Sequence, residues 1–342
     1  MSDYHATQDP SSTLWDSFWE SFHEGNFFQT YEFGEISKMA SRRTKTARLA
    51  IDHNGKPIAV VQGTYTRYFG FGMTLQVIRG PVTCLETKDA IQLVDCYLLN
   101  ELEELCKRKR IVLLELWVLD SWQLRDVLLK KGYALVGKIN DYVVNLEGGA
   151  QKLWENIHHN KRRNIKTAER EGVEIVQSRN YQDLETFCLL HEAAAKRDGF
   201  SAVPRSWFEA AWKMYKPESW CLFLAKWKGT TIAGVYVVTH GNTVYAWRAG
   251  SLTEGLKVRP NDLMHWKAME WACANGYTKY NMGMVDEPIP TEESSKWGIW
   301  RWKREWNGSL ERIEIFDKTI LPQYKTVLHA RDIVYETIKR FR

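Results

Sequence analysis

The sequence predicts an α/β chain of the α+β kind, with two tandem domains that each hold a mixed central sheet flanked by helices. Its 342 residues suit two domains better than one. A hairpin pattern occurs twice, as IDHNGKPIAVVQGTY (51–65) and AKWKGTTIAGVYVVT (225–239), each with a turn glycine and a second strand opening on Ile-Ala. Each hairpin is followed by an amphipathic helix feeding a strand, so an internal duplication is the economical reading. The hydrophobic share of 44% is enough for two cores.

In the first half, Ile91, Val94, Leu98, Leu102 and Leu105 recur at steps of three and four, the period of one helix face, and an apolar strand follows from Ile111 to Leu114. The run KRKR (107–110) closes that helix, where cations meet the negative end of the dipole. EGGA (147–150) breaks both patterns, so the boundary is placed there, giving 1–148 with 310–342 as one domain and 149–309 as the other. Next, Leu153, Trp154, Ile157, Ile165 and Ala168 form an apolar stripe, Gly172 a helix stop, and Val173 to Val176 a strand. In the second half Leu263, Met264, Trp266, Ala268 and Trp271 make a broad helical face ending at Asn275-Gly276 before a strand. From about Ser309 come the strand LERIEIF and a final helix.

The net charge is +5 and the pI about 8.7, below the balance of a dedicated nucleic-acid binder. The cations are clumped in RRTK (42–45), KRKR, NKRRNIK (160–166) and RWKR (301–304), which fits an anionic partner. Six scattered cysteines without C-x-x-C spacing read as reduced thiols of a cytoplasmic protein. No signal peptide and no membrane-length apolar run is visible, which leaves the cytoplasm or a peripheral encounter with a membrane face. His158-His159 lacks a third ligand, so no metal site is expected.

The doubled hairpin, helix and strand is the pattern of a tandem GNAT-type acyltransferase. CoA-binding members need a glycine-rich loop at a helix N-terminus to cradle a pyrophosphate. Here that loop reads LKVRPNDL (256–263) in the second half and PVTCLETKDA (81–90) in the first, and neither has the glycines.

Several segments, in order along the chain, resemble the Fem aminoacyltransferases (the FemABX family). FFQTYEFGEISK (27–38) is similar to their F-x-Q-x-x-x-W-x-x-x-K signature, Arg79-Gly80-Pro81 to their R-G-P turn, and NKRRNIKTAEREGVEIV (160–176) to their R-x-x-I-K-K-A-x-x-x-G-V segment. KRDGF (196–200) is similar to R-x-x-F, and RWKREWNG (301–308) to F-K-x-x-F-G-G. The matches run from residue 27 to about 318, as in a compact member without an inserted coiled-coil arm. The resemblance implies transfer of an amino acid from aminoacyl-tRNA to an amino group of a peptidoglycan precursor's peptide stem, with the precursor UDP-linked or lipid-linked. It implies no cofactor, no metal and a monomer. An aminoacyl ester is already activated, so the work left is alignment of an amine and stabilisation of an oxyanion.

Lys303 stands at the family's lysine and is the expected catalytic group. With 299–306 as a strand, Trp300, Trp302, Arg304 and Trp306 share one face and Ile299, Arg301, Lys303 and Glu305 the other, which offers Lys303 and Arg301 to an oxyanion or an RNA end. Trp302 and Trp306 read as core, and Trp297 or Trp300 as stacking candidates. For phosphates, the resemblance points to Lys38, one residue beyond the family's lysine position at Ser37, and to Arg205 or Arg197, with Arg79 in the R-G-P turn. Among the tyrosines that line family sites it suggests Tyr245, with Arg248 beside it. Lys161, Arg162, Arg163 and Lys166 could follow tRNA phosphates along their helix. Two acids of the family are replaced, Trp117 standing where one is expected, with Glu115 two earlier, and Asn281 where the other is. Two rival readings remain. One is an acyl-CoA-dependent N-acyltransferase acting on a cell-surface sugar or peptide, the other an RNA-binding module on an inactive scaffold.

Overall fold

The computed structural model describes residues 4–22, 26–68, 70–324 and 326. Its elements are β1 (Tyr4–Gln8), α1 (Ser12–Ser21), α2 (Tyr31–Ala40), β2 (Thr44–His53), β3 (Lys56–Tyr68), β4 (Phe71–Ile78), β5 (Val82–Thr83), α3 (Thr87–Leu93), α4 (Leu99–Arg108), β6 (Ile111–Leu119), α5 (Arg125–Lys130) and β7 (Ala134–Asn145). There follow α6 (Gly149–Asn156), α7 (His159–Arg170), β8 (Glu174–Ser178), α8 (Tyr181–Asp198), α9 (Arg205–Met214), β9 (Trp220–Trp227), β10 (Thr230–His240), β11 (Thr243–Ser251), α10 (Pro260–Ala274), β12 (Lys279–Asp286), α11 (Trp297–Arg304) and β13 (Ser309–Thr319). The expected final helix lies outside the described residues.

The chain forms two compact units, unit 1 up to Lys138 and again from Arg312, unit 2 from Ile139 to Glu311. The division falls within β7, earlier than the expected break at 147–150. Gly148 and Gly149, with φ of 93° and 77°, turn the chain out of β7 into α6 instead.

In unit 1 the strand order is β1-β2-β3-β4-β6-β13, with β5 added to β3; only β4 and β6 are parallel. The first hairpin turns on Asn54 and Gly55, both at positive φ, the conformation whose twist suits a two-residue turn. The predicted helix face is buried at Val94, Leu98, Leu102 and Leu105, with a π-helical segment (Val94–Leu98) joining α3 to α4. Two resembling motifs meet in this unit. Gln29, fully buried, donates through Nε2 to the carbonyls of Gln62 and Ile78 at 2.9 Å each and accepts from the Gln62 amide at 2.7 Å. A Cβ on Gly80 would stand 2.8 Å from that Gln29 side chain, so only glycine fits the R-G-P turn.

Unit 2 repeats the plan in the order β7-β12-β11-β10-β9-β8, with only β11 and β12 parallel. Its hairpin turns on Lys228 and Gly229, again both at positive φ. The α10 face, Leu263, Met264, Trp266 and Ala268, is buried with Val235, Val237 and Phe223 of the sheet, each such side chain worth about 1.5–3 kcal/mol. Over β11 runs α8, so closely that a Cβ on Gly250 would lie 2.4 Å from the Leu190 carbonyl carbon.

Residues 299–306 do not form the expected strand. They belong to α11 and its C-cap, because Trp300, Lys303 and Trp306 recur at helical spacing, and it is this stripe that turns inward. Trp306 is fully buried and Trp300 and Trp302 pack half-buried against the same core, while Ile299, Arg301 and Arg304 face solvent.

Candidate active site

The parallel strands β11 and β12 pair only from Thr243 to Tyr245 and from Lys279 to Asn281. Beyond those pairs both strands are bulged. Against β10, Trp247 is an extra residue between Ala246 and Arg248; against β7, Met282 and Gly283 together face Tyr142. Gly283 takes φ +78° there, and its amide donates to Asn281 Oδ1 at 2.7 Å. Asn281 in turn donates from Nδ2 to Asp141 Oδ2 at 2.7 Å, both residues being buried.

Lys303 comes down on this bulge from α11. It is 7% exposed, not on an open polar face beside Arg301, and its Nζ donates to the carbonyls of Gly283 and Met284 at 3.1 and 2.9 Å. Burial pulls its pKa down to about 8, against the attraction of Asp141 and Asp286 for the charged form. An ammonium has three donors, so two are held by the bulge and one remains.

Behind Lys303 lies a second buried group. Lys161, fully buried, does not follow any external phosphate. Its Nζ bonds Asp262 Oδ1 at 2.6 Å, stands 3.7 Å from Glu305 Oε2 and lies 4.4 Å from the centroid of the Trp302 ring. Burial lowers its pKa, although Asp262 and Glu305 oppose this. Asp262 Oδ1 also accepts from the Trp302 indole at 2.9 Å and Asp262 Oδ2 from Asn164 at 3.3 Å, so α7, α10 and α11 converge on one carboxylate. His265 adds a ring 5.0 Å from Trp302 and a 2.9 Å hydrogen bond to Tyr280; burial, then Lys161 and Lys303, push its pKa down to about 3 and keep it neutral.

On the outer side of α11 an open cleft of about 800 Å³ is lined by Arg163, Arg259, Arg301 and Arg304 with Trp302, Asn160 and Asn164, and by Asp262 and Glu305, the two carboxylates that face Lys161. Among the described residues none of these four guanidiniums is paired with a carboxylate, the nearest thing to a partner being the Trp297 ring beneath Arg304. The cleft borders the start of α10, whose first turn carries Asp262 and opens on Pro260. That turn presents an acid and an imino acid and has no glycine cradle for a pyrophosphate.

The remaining expected residues are dispersed. Arg162 caps α6 rather than reaching out, Nη1 donating to the carbonyls of Trp154, Glu155 and Ile157 at 3.0, 3.0 and 2.6 Å. Lys166 is exposed on α7, away from the cleft lining. Arg197 ties the end of α8 to the Ser251 carbonyl at 2.6 Å and pairs with Asp198, so its donors are spent on the fold. Arg205 is held on the surface by Glu185 and Glu209. In unit 1 Arg79 is buried with its guanidinium over Phe28. Lys38 pairs with Glu35 and lines a basic cleft of about 620 Å³ with Arg42, Lys45 and Lys109. Glu35 stays below the usual carboxylate range: burial pushes it up, but hydrogen bonds from Lys38 and Arg48 prevail. Glu115 accepts from the Trp117 indole at 2.7 Å and from Gln76 at 2.9 Å. Tyr245 is buried opposite Asn281, and Arg248 is half-buried at the splayed end of β11. The sequence reading missed Asp141, Asp262 and Arg259; an aspartate inside the strand NDYVV and another in a helix's first turn were the available signals. Among the described residues no cluster of His, Cys, Asp and Glu could hold a metal, and no helix is long and apolar enough to cross a membrane.

Comparison with known proteins bears on the fold. Residues 156–304 match the acetyltransferase (GNAT) domain family. The chain is 31% identical over 91 residues to a lipid II:glycine glycyltransferase of Staphylococcus epidermidis, covering 26% of this chain and 22% of that protein. A Staphylococcus saprophyticus protein of the same description is 28% identical over 102 residues, 29% of this chain and 24% of its own length. The chain thus spans about a quarter of these curated relatives. In structure it is similar to FemX, with a TM-score of 0.78 and 17% identity over 95% of this chain and all of that one. A tandem GNAT protein from the clavulanic acid biosynthesis pathway follows at a TM-score of 0.59 and 10% identity, over 94% and 99% of the two chains. The chain therefore has the GNAT fold, its residues 156–304 match the acetyltransferase (GNAT) domain family, and it resembles the Fem family in sequence motifs and in fold.

Proposed function

We propose that the protein is an acyltransferase that moves an amino acid from aminoacyl-tRNA to an amino group on the peptide stem of a UDP-linked or lipid-linked peptidoglycan precursor. The observation that carries this reading is the two-sided α11. One side holds Lys303 on the β12 bulge, the other opens on four arginines without acid partners. The arginines suit the phosphates of an RNA end. The acceptor amine attacks the ester carbonyl, and the Nζ proton of Lys303 not engaged by Gly283 and Met284 stabilises the oxyanion. The intermediate collapses by breaking the ester C–O bond, and the proton lost by the attacking amine passes to the departing ribose oxygen, so that an amide and a free ribose hydroxyl result.

The loop before α10 argues against acyl-CoA as donor, since it lacks the glycine cradle and Pro260 removes an amide donor. Incubation with tRNA charged with radiolabelled amino acids and a lysine-containing muropeptide precursor tests the reading. Label should pass to the precursor and stop after RNase treatment. Transfer that survives RNase and requires a CoA thioester would replace this reading with acyl-CoA-dependent N-acylation, and binding of tRNA with no turnover would leave an RNA-binding module.

A further inference from the structure

Cations withdrawn from solvent in this molecule are answered either by an acid, as Arg48 by Glu35 at 2.8 Å, Lys161 by Asp262 at 2.6 Å and Arg197 by Asp198 at 2.7 Å, or by a set of backbone carbonyls, as Lys303 and Arg162 are. Arg248 has neither. Among the described residues it meets no carboxylate; its side chain makes one hydrogen bond, from Nη1 to the Trp247 carbonyl at 2.7 Å. Its guanidinium lies 4.2 Å from the centroid of the Trp247 ring, and Trp247 stacks on Trp207 with centroids 3.8 Å apart and planes 28° apart. The guanidinium is thus held in orientation by a two-indole stack, so little rotamer freedom is lost when it binds. Burial acts on it unopposed and lowers its pKa to about 10. A half-buried cation kept without a counter-ion is costly unless something outside the chain supplies the charge.

Its position says where that charge arrives. The bulge at Trp247 sets Arg248 beyond the last β11–β12 pair, and on β12 the carbonyls of Gly283 and Met284 that hold Lys303 also lie beyond that pair. A lone fixed guanidinium matches one singly charged planar group, which it engages through two parallel N–H bonds. A phosphate dianion would need more donors than one guanidinium supplies.

We propose that Arg248 determines acceptor specificity by receiving a carboxylate of the amine-bearing substrate, so that acceptor peptides with a free carboxylate are preferred. This rests on the acyl-transfer reading and names the acceptor class for it. The test is calorimetric titration of the full chain with Nα-acetyl-lysyl-alanyl-alanine and with its C-terminal amide, without donor. The free acid should bind about tenfold more tightly than the amide, the factor one charge-assisted bond supplies. Arg248→Gln should remove the preference while leaving amide binding unchanged, and Arg248→Lys should restore part of it. Equal binding of the two peptides by the wild type overturns the proposal, a result that needs no variant to fold. A preference surviving in Arg248→Gln also overturns it, as does inorganic phosphate displacing the acid peptide at equal concentration. Because no donor is present, a discriminating titration alongside absent transfer would remove the transfer reading and leave the carboxylate site standing. Transfer without discrimination would do the reverse.

Discussion

Lys303 sits between two demands. Buried on the Gly283 and Met284 carbonyls with a pKa near 8, it is charged in most molecules at neutral pH and loses its proton just above. If the ammonium stabilises the oxyanion, kcat should fall as pH rises through about 8. Lys303→Arg, charged throughout, should lose that limb. Stability moves the other way. The folded-state pKa is depressed below the unfolded one, so between about 8 and 10.5 the unfolded chain binds more protons. Stability from this group therefore rises with pH across that window, and below pH 8 its whole burial cost is carried. Urea denaturation of wild type and Lys303→Met at pH 7 and pH 10 should show the variant's advantage shrinking at the higher pH. A constant difference would contradict the depressed pKa.

The element at stake is α11. Its sequence WGIWRWKREW alternates aromatic and charged residues closely enough to read as a strand, and only tertiary packing of Trp300, Lys303 and Trp306 on one side decides for a helix. The hairpins, by contrast, were legible because Asn54-Gly55 and Lys228-Gly229 settle their turns locally. Lys161 looked like a phosphate ligand because its charge is local and its partner, Asp262, lies on a different helix far along the chain. Asp262→Leu should destabilise unit 2 by about 3–5 kcal/mol in denaturant unfolding, because it strands a buried cation. Lys161→Met added to it should recover much of that loss. If the double variant is as unstable as the single, Lys161 is not the charge that Asp262 answers.

Across the whole molecule, the doubled plan was readable from repeated local patterns, whereas the site was not. The β12 bulge, the splay of β11 from β12 and the arginine cleft assemble residues from β7, α7, α10 and α11, and no single stretch carries them. Charge clumps pointed to an anionic partner but misassigned two of their members, Lys161 and Arg162, to the surface. If the cleft binds RNA, affinity for a short single-stranded CCA-ended oligonucleotide should fall linearly with log salt. Arg301→Ala and Arg304→Ala should each reduce that slope by about 0.7. Arg205→Ala, remote in sequence and ion-paired on α9, should leave the slope unchanged. Equal slopes for all variants would place the RNA elsewhere.

The most direct measurement is single-turnover transfer from charged tRNA to a muropeptide precursor, read by product mass, for wild type and Lys303→Met. The account predicts one aminoacyl increment on the precursor with wild type and a rate lower by about 10²–10³-fold for the variant, the loss expected when an oxyanion donor is removed. An unchanged rate in a folded Lys303→Met would contradict it.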